Sequence, residues 1–384
     1  MIDYLLTEEQ MMIRDLCRQI TDEKIRPVAG EYDKTEKFPW DIVKVMAQSD
    51  LFGVYIEEKY GGMGGGVLEL CIATEEFSRG CAGIALAYSA TALGTYPLIL
   101  FGSEEQKMKY LPAIAKGEKL AAFGLTEPAA GSDAGGIQTV AEKKGDYYIL
   151  NGVKHFITNG GDAEVYTVIA MTDKSRGARG ASLFVVDKGT PGFSFGKKED
   201  KMGIRASSTR ELIFDNCKIP KENLLGKEGM GFIAAMKTFD MSRPGIGAQA
   251  LGIAQGALDE SIKYAKQRKQ FGKSISSFQG IQWMLADMAT QVEAARALVY
   301  ASAREVDAGK KDIGMHSAMG KMYASDVAMK VATDAVQIFG GYGYMKEYPV
   351  EKFMRDAKIT QIYEGTNQIQ RNIIAMGLIK DSAR

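Results

Sequence analysis

Glu364 is the one acid in the run from Ile359 to Arg371, set among apolar and amide side chains with no cation between Lys358 and Arg371. Gly365 follows it directly, so the chain can turn there and bring its backbone close to a ligand. A carboxylate in such a segment is either a structural acid in a buried ion pair or a base made stronger by loss of solvent. The local sequence leaves both open.

Four other stretches could do chemistry. Leu125-Thr126-Glu127-Pro128-Ala129-Ala130-Gly131-Ser132-Asp133 leaves a strand and enters a small-residue loop, which would expose backbone donors and hydroxyls to a polar planar ligand. Phe156-Ile157-Thr158-Asn159-Gly160-Gly161 ends a second strand with an aromatic and a hydroxyl two apart, hence on one side. An aromatic face beside a hydroxyl suits an isoalloxazine ring and its N5, although either stretch alone could be an ordinary β-turn. Gln267-Arg268-Lys269-Gln270-Phe271-Gly272-Lys273 is a basic cluster between two helices, explained by the helix dipole or by a pyrophosphate that Arg grips bidentately. Phe239-Asp240-Met241-Ser242-Arg243-Pro244 puts an acid and an Arg at a helical bend.

Other chemistries have little to draw on. The two histidines, His155 and His316, sit in unrelated contexts, so no zinc site or Ser-His-Asp triad is expected. His155 reads as a strand-surface residue, and Trp40 and Trp283 as packing residues. Cys17, Cys71, Cys81 and Cys217 are scattered without a CxxC and read as buried thiols of a reducing compartment. The work falls to carboxylates or to a borrowed cofactor.

Three blocks must position these residues. Residues 1–116 read as helical: Thr7-Glu8-Glu9-Gln10 and Ser103-Glu104-Glu105-Gln106 are capping sequences, and Met12, Ile13, Leu16 and Ile20 recur at helical spacing. The glycine-rich run Tyr60 to Gly66 lacks the ending of a phosphate loop and reads as a mobile connection at a pocket mouth. Val67 to Leu100 reads as a buried helix, and no Lys or Arg lies between Arg79 and Lys107, so whatever it lines is uncharged. Residues 117–228 read as a β barrel or sandwich, with strands at 146–154, 165–171, 181–186 and 210–214 and an Asn151-Gly152 hairpin turn. No strand-helix alternation appears, so this is no Rossmann unit. Residues 229–384 read as a bundle of long helices, with Leu251, Ala254, Leu258, Ile262 and Ala265 on one buried face.

The chain is long enough for two or three domains: 384 residues, with 48 basic against 48 acidic side chains. That balance gives no support to binding nucleic acid or anionic membranes. No apolar run approaches the roughly 18 residues of a membrane helix, and the N-terminus has no signal or transit pattern, so a soluble, cytoplasmic protein is expected.

The six stretches LTEPAAGSD, FITNGG, FDMSRP, QRKQFGK, QIFGGYGY (337–344) and RDAKITQIYEGTNQIQR (355–371) together resemble the acyl-CoA dehydrogenase flavoproteins, in that family's order and over essentially the whole chain. The short-chain, butyryl-CoA-like branch is nearest. The resemblance implies an α domain, a middle β domain and a C-terminal four-helix bundle, assembled as a homotetramer with FAD between β domain and bundle. It implies that Thr126 and Thr158 bond the flavin ring, with Phe156 stacked near it where relatives often carry Trp. Arg268 and Phe271, with Gln337 and Gly341 of a neighbouring subunit, would hold the pyrophosphate and adenosine, completed by Thr366 and Gln368. Ser132, at the edge of the cofactor site, with Asp240 and Arg243 would meet the CoA moiety; Tyr363 and Gly365 would border the substrate.

Glu364 matches the family's base. Some branches carry the base two residues after the Asp of FDxxR, where this chain has Ser242, which cannot serve. The implied reaction is α,β-dehydrogenation of an acyl-CoA to the trans-2-enoyl-CoA, the α proton going to Glu364 and the β hydrogen to flavin N5. Electrons would leave to an electron-transferring flavoprotein. A glutaryl substrate would need a cation in the acyl pocket, which the 80–106 segment lacks. Butyryl length fits the nearest branch; a branched or alicyclic acyl group such as cyclohexane-carboxyl-CoA is the alternative, with Tyr88, Thr91 and Tyr96 able to reshape the pocket. An oxygen-using oxidase on the same fold and a non-enzymatic scaffold are the rival classes.

Overall fold

The computed structural model describes residues 5–382. The N-terminal helices are α1 (Glu8–Ile20), α2 (Ala29–Thr35), α3 (Trp40–Gln48), α4 (Val67–Phe101) and α5 (Glu104–Ala115). Both expected capping boxes form: the Thr7 hydroxyl accepts from the Gln10 amide while the Gln10 side chain accepts from Thr7, and Ser103 and Gln106 repeat the exchange.

The 35-residue α4 is apolar all round, which a helix tolerates only when it is enclosed on every side. By length and composition it could cross a membrane, which corrects the expectation that no such run exists; here most of it is buried inside the protein. It packs on α1, on the sheet and on α6. Helical geometry breaks at Cys81, and the carbonyl of Ala82 beside the break accepts from Gln249 of the bundle at 3.3 Å. The glycine-rich run before α4 is shaped by close packing. A Cβ on Gly62 would lie 2.0 Å from the Ile56 carbonyl oxygen, and one on Gly65 2.4 Å from that of Val54.

The strands are β1 (Ala121–Gly124), β2 (Val140–Lys144), β3 (Tyr147–Thr158), β4 (Val165–Met171), β5 (Ala181–Asp187), β6 (Phe193–Phe195), β7 (Thr209–Pro220) and β8 (Leu224–Leu225). They form one sheet in the order β6-β7-β3-β2-β4-β5-β8, with β1 added in parallel on β4. Asn151-Gly152 is not a hairpin turn. It lies inside β3 at a register shift against β7, and the turn between β2 and β3 is Gly145-Asp146. Thr139 sits so close to Gly152 that a Cβ there would meet its Oγ1 at 2.6 Å; the glycine permits backbone approach within the sheet.

The bundle is α6 (Gly231–Gln267), α7 (Gln279–Asp307), α8 (Gly314–Phe339), α9 (Val350–Thr360) and α10 (Asn367–Ser382), with the short hairpin β9 (Lys269–Gln270) and β10 (Lys273–Ser274) between α6 and α7. Pro244 inside α6 cannot donate to the Asp240 carbonyl one turn back, and Ser317 of α8 takes that acceptor at 2.8 Å. Leu251, Ala254, Leu258 and Ala265 are buried as expected, but Ile262 is exposed and Ser261 takes the inward position. Trp283 is 65% exposed and is not the packing residue its type suggested, whereas Trp40, 39% exposed, packs on Phe38 with ring centroids 4.9 Å apart. All four cysteines are free and buried.

Candidate active site

One cleft brings the sequence's chemistry together. Leu86, Ser89, Ala90 and Leu93 of α4 line it on one side, Thr126, Phe156 and Thr158 of the β region on another. Phe239 and Ile246 of α6 with Tyr363 and Glu364 complete it. Tyr88, Thr91 and Tyr96 are not among these residues. All three are fully buried: Tyr88 packs on Phe52 and Phe77, Tyr96 on Tyr55, and Thr91 bonds Ala87 of its own helix. Helical phase points 86, 89, 90 and 93 one way and 88 and 91 another; Tyr96 shares the phase of Ser89 but lies two turns further along α4, outside the cleft lining.

Glu364 leaves α9 in a backbone shape few residues adopt. Its φ is 50° and that of Gly365 is 90°, both left-handed. Gln370 Nε2 donates to the Glu364 carbonyl at 3.0 Å and to the Gly365 carbonyl at 2.9 Å, and Lys321 Nζ donates to the latter at 2.8 Å. These side-chain bonds hold a turn that neither helix nor sheet supports. The Ser242 hydroxyl donates to Glu364 Oε2 at 2.5 Å. Burial pushes the Glu364 carboxyl up to about 7, against the opposing pull of Ser242, Arg243 and Lys321. A carboxyl poised near neutrality is suited to take a proton.

The segment 359–370 has no cation of its own, yet α6 and α8 bring Arg243 and Lys321 to it. The sequence reading missed both effects, and it saw Ser242 only as a residue unable to act as a base. The one trace of Lys321 in the sequence is a lone cation in an α8 stretch of small residues.

The β side is built to hold a planar ring. Phe156 is 61% exposed with φ 58°, at a register shift that turns its ring out of β3. The Thr126 and Thr158 hydroxyls have no partner among the described residues, so each is available to a ligand's polar edge. Beneath them lies the fully buried Lys154–Glu127 pair at 2.6 Å. Glu127 also accepts from the amides of Gln138 at 2.5 Å and Thr139 at 3.0 Å, and Lys154 donates to the Leu125 carbonyl at 3.1 Å. The loop carrying Thr126 is thereby tied at both ends. His155 bonds Glu211 at 2.9 Å, a strand-surface role as expected.

A second cavity of about 600 Å³ is lined by Arg268, Gln270, Gly341, Tyr342 and Met345 among others. Arg268 lies over the Tyr342 ring at 5.2 Å and has no carboxylate partner among the described residues, leaving its fork for an anion. Arg268 and Gly341 share this cavity within one chain. Gln337 is exposed and outside its lining, and Phe271 stands 92% exposed on the β9–β10 turn, whose two central residues have φ of 52° and 77°. Thr366 accepts from the Ile369 amide at 3.3 Å and caps α10, and Gln368 is exposed on its first turn. Ser132 lies exposed in its loop outside the cleft. Arg243 is buried and bonds Asp240 at 2.8 Å, with its Nε left unpartnered.

The residues fit a flavin: an exposed aromatic ring and two free hydroxyls on one wall, a base on the other, and an uncommitted guanidinium in a separate cavity. Among the described residues no cluster of His, Cys, Asp or Glu could hold a metal ion.

Comparison with known proteins agrees with this geometry. The models of the acyl-CoA dehydrogenase N-terminal, middle and C-terminal domains match residues 7–118, 122–217 and 229–379. The chain is 51% identical to the short-chain-specific acyl-CoA dehydrogenase of Clostridium acetobutylicum, over 97% of this chain and 99% of the relative. Its fold is similar to butyryl-CoA dehydrogenase of Megasphaera elsdenii, with TM-score 0.96 and 50% identity over 98% of this chain and all of the other. A chain solved in work on the electron transferring flavoprotein of Acidaminococcus fermentans, toward a mechanism of flavin-based electron bifurcation, matches with TM-score 0.97 and 53% identity, over 99% of this chain and all of the other. Three matched domains, a base facing an aromatic and two hydroxyls, and relatives aligned nearly end to end make this chain a member of the acyl-CoA dehydrogenase family.

Proposed function

We propose that this FAD-dependent enzyme removes the α and β hydrogens of a short-chain acyl-CoA thioester, with Glu364 as the base. The observation that carries the reading is Glu364 itself, raised to about 7 by burial and facing the Thr126–Phe156–Thr158 wall across one cleft. Thr126, Thr158 and Phe156 would hold the flavin ring, and Arg268 and Phe271, with Gln337 and Gly341 of a neighbouring subunit, the pyrophosphate and adenosine end, completed by Thr366 and Gln368. Bound FAD supplies the acceptor for the hydride that leaves the β carbon.

The chain's own contribution is alignment, desolvation and proton abstraction. An α proton beside a thioester is weakly acidic, so the carbonyl must be polarised by hydrogen-bond donors as charge develops. The Glu364 amide makes no backbone hydrogen bond among the described residues and is free to be one such donor. Leu86, Ala90, Leu93 and Ile246 offer an uncharged wall to an acyl chain, which suits butyryl rather than a dicarboxylic acyl group. Asp240, Arg243 and Ser132 would meet the CoA moiety, and Tyr363 and Gly365 border the reacting end. Replacement of Glu364 by Gln should leave FAD and butyryl-CoA binding intact while anaerobic bleaching of the flavin falls by about 10²–10⁴. Bleaching at the native rate would remove Glu364 from this role.

Electrons would pass to an electron-transferring flavoprotein, a reading supported by the company the A. fermentans chain keeps. Exposed apolar side chains at Phe271, Trp283, Met376 and Ile379 suit burial in a homotetramer, and four free buried thiols suit the cytoplasm.

A further inference from the structure

Lys321 is fully buried in α8 and touches only neutral acceptors: the Gly365 carbonyl at 2.8 Å and Asn367 Oδ1 at 3.0 Å. Among the described residues it forms no ion pair, an expensive arrangement for an ammonium group: burial pushes Lys321 down to about 7, and the charge is kept on the acid side of that value only if something offsets the cost. Two features do. Asn367 is fixed for its task, since its Nδ2 donates to Ser325 Oγ at 2.9 Å and to Asp326 Oδ1 at 2.8 Å, so its oxygen must face the lysine. The Gly365 carbonyl, in turn, belongs to the left-handed turn that carries Glu364.

We propose that Lys321 is the positioning residue of Glu364: it clamps the Gly365 carbonyl of the left-handed turn, sets the direction of the carboxylate and places a buried positive charge beneath it. This rests on Glu364 being the base. The charged and polar groups facing the carboxylate are Arg243 and Ser242 from α6 and Lys321 from α8. Those facing Lys321 are Glu364, Arg243 and Asp326. Gln370 grips the same two carbonyls without a charge, so clamping and charge can be separated experimentally.

The test compares Lys321→Met, Lys321→Gln and Gln370→Leu as FAD-loaded enzymes, by the pH dependence of flavin reduction with butyryl-CoA and by thermal melting. Lys321→Met should slow flavin reduction about tenfold to a hundredfold with KM within about threefold, as a misdirected base does. Loss of the nearby cation should also move the acid limb upward by about half a pH unit or more. Lys321→Gln should move that limb as far while recovering part of the rate. Gln370→Leu should slow the reaction with the limb unmoved. An unmoved limb in both lysine variants would overturn the proposal, as would failure of both to fold or keep FAD, which would make Lys321 part of the framework alone. Glu364→Gln distinguishes the two readings. If that variant is inactive while the lysine variants behave as native, only this inference fails. If it is active, the assignment of the base fails first.

Discussion

The Ser242 hydroxyl stands 2.5 Å from Glu364 Oε2, joining α6 to the turn between α9 and α10. A hydroxyl that donates to a carboxylate stabilises its charged form and so opposes the rise that burial imposes. Hydrogen bonds to charged groups contribute about 1.5–3 kcal/mol, and one pKa unit is about 1.4 kcal/mol. Ser242→Ala should therefore raise the acid limb of the kcat/KM profile by about one to two units and leave the rate at high pH within about threefold. An unshifted limb would show that the bond does not tune the base.

The same burial makes Glu364 a stability liability at high pH. Its folded value, about 7, lies above the ordinary carboxyl value, so the native state holds its proton more tightly than the unfolded chain does. The contribution to stability is full below the unfolded value near 4.5 and is lost as pH rises through about 7. Glu364→Gln should accordingly gain melting temperature relative to the native protein at pH 8.5, with a smaller gain or none at pH 5. An equal difference at both pH values would contradict this.

Lys154 and Glu127 form a buried pair whose carboxylate also binds two backbone amides. Removing one partner leaves the other charge uncompensated, at a cost of about 3–5 kcal/mol. Lys154→Met should lower stability by that order in denaturant unfolding and weaken FAD retention, because the loop bearing Thr126 loses its anchor. Loss of stability with native FAD affinity would restrict the pair to the core.

Ala90 faces the cleft from α4 beside Leu86 and Leu93. Ala90→Leu adds volume where an acyl chain would lie, and overpacking a closed site costs about 1–3 kcal/mol. Rates with hexanoyl-CoA and octanoyl-CoA should fall about tenfold or more, with butyryl-CoA held within about threefold. Equal loss at every length would place Ala90 away from the acyl terminus.

The helical–β–helical order, the capping boxes at Thr7 and Ser103, the buried α4 and the candidacy of Glu364 were legible in the residues because each is a local matter of periodicity, capping chemistry or composition. Asn151-Gly152 was misread because a glycine that turns a hairpin and one that admits a neighbouring strand leave the same mark in sequence; Thr139, distant along the chain, decides between them. Helical phase, set only once α4 lay against the sheet and α6, put Ala90 rather than Tyr88 into the cleft. The surroundings of Glu364 belong wholly to the tertiary structure. Ser242 lies 122 positions away and Lys321 lies 44 from the carbonyl it holds, and only the packing of α6 and α8 brings them to the turn. Sequence marked an acid among apolar neighbours; the fold supplied the burial that raises its pKa and the donors that restrain it.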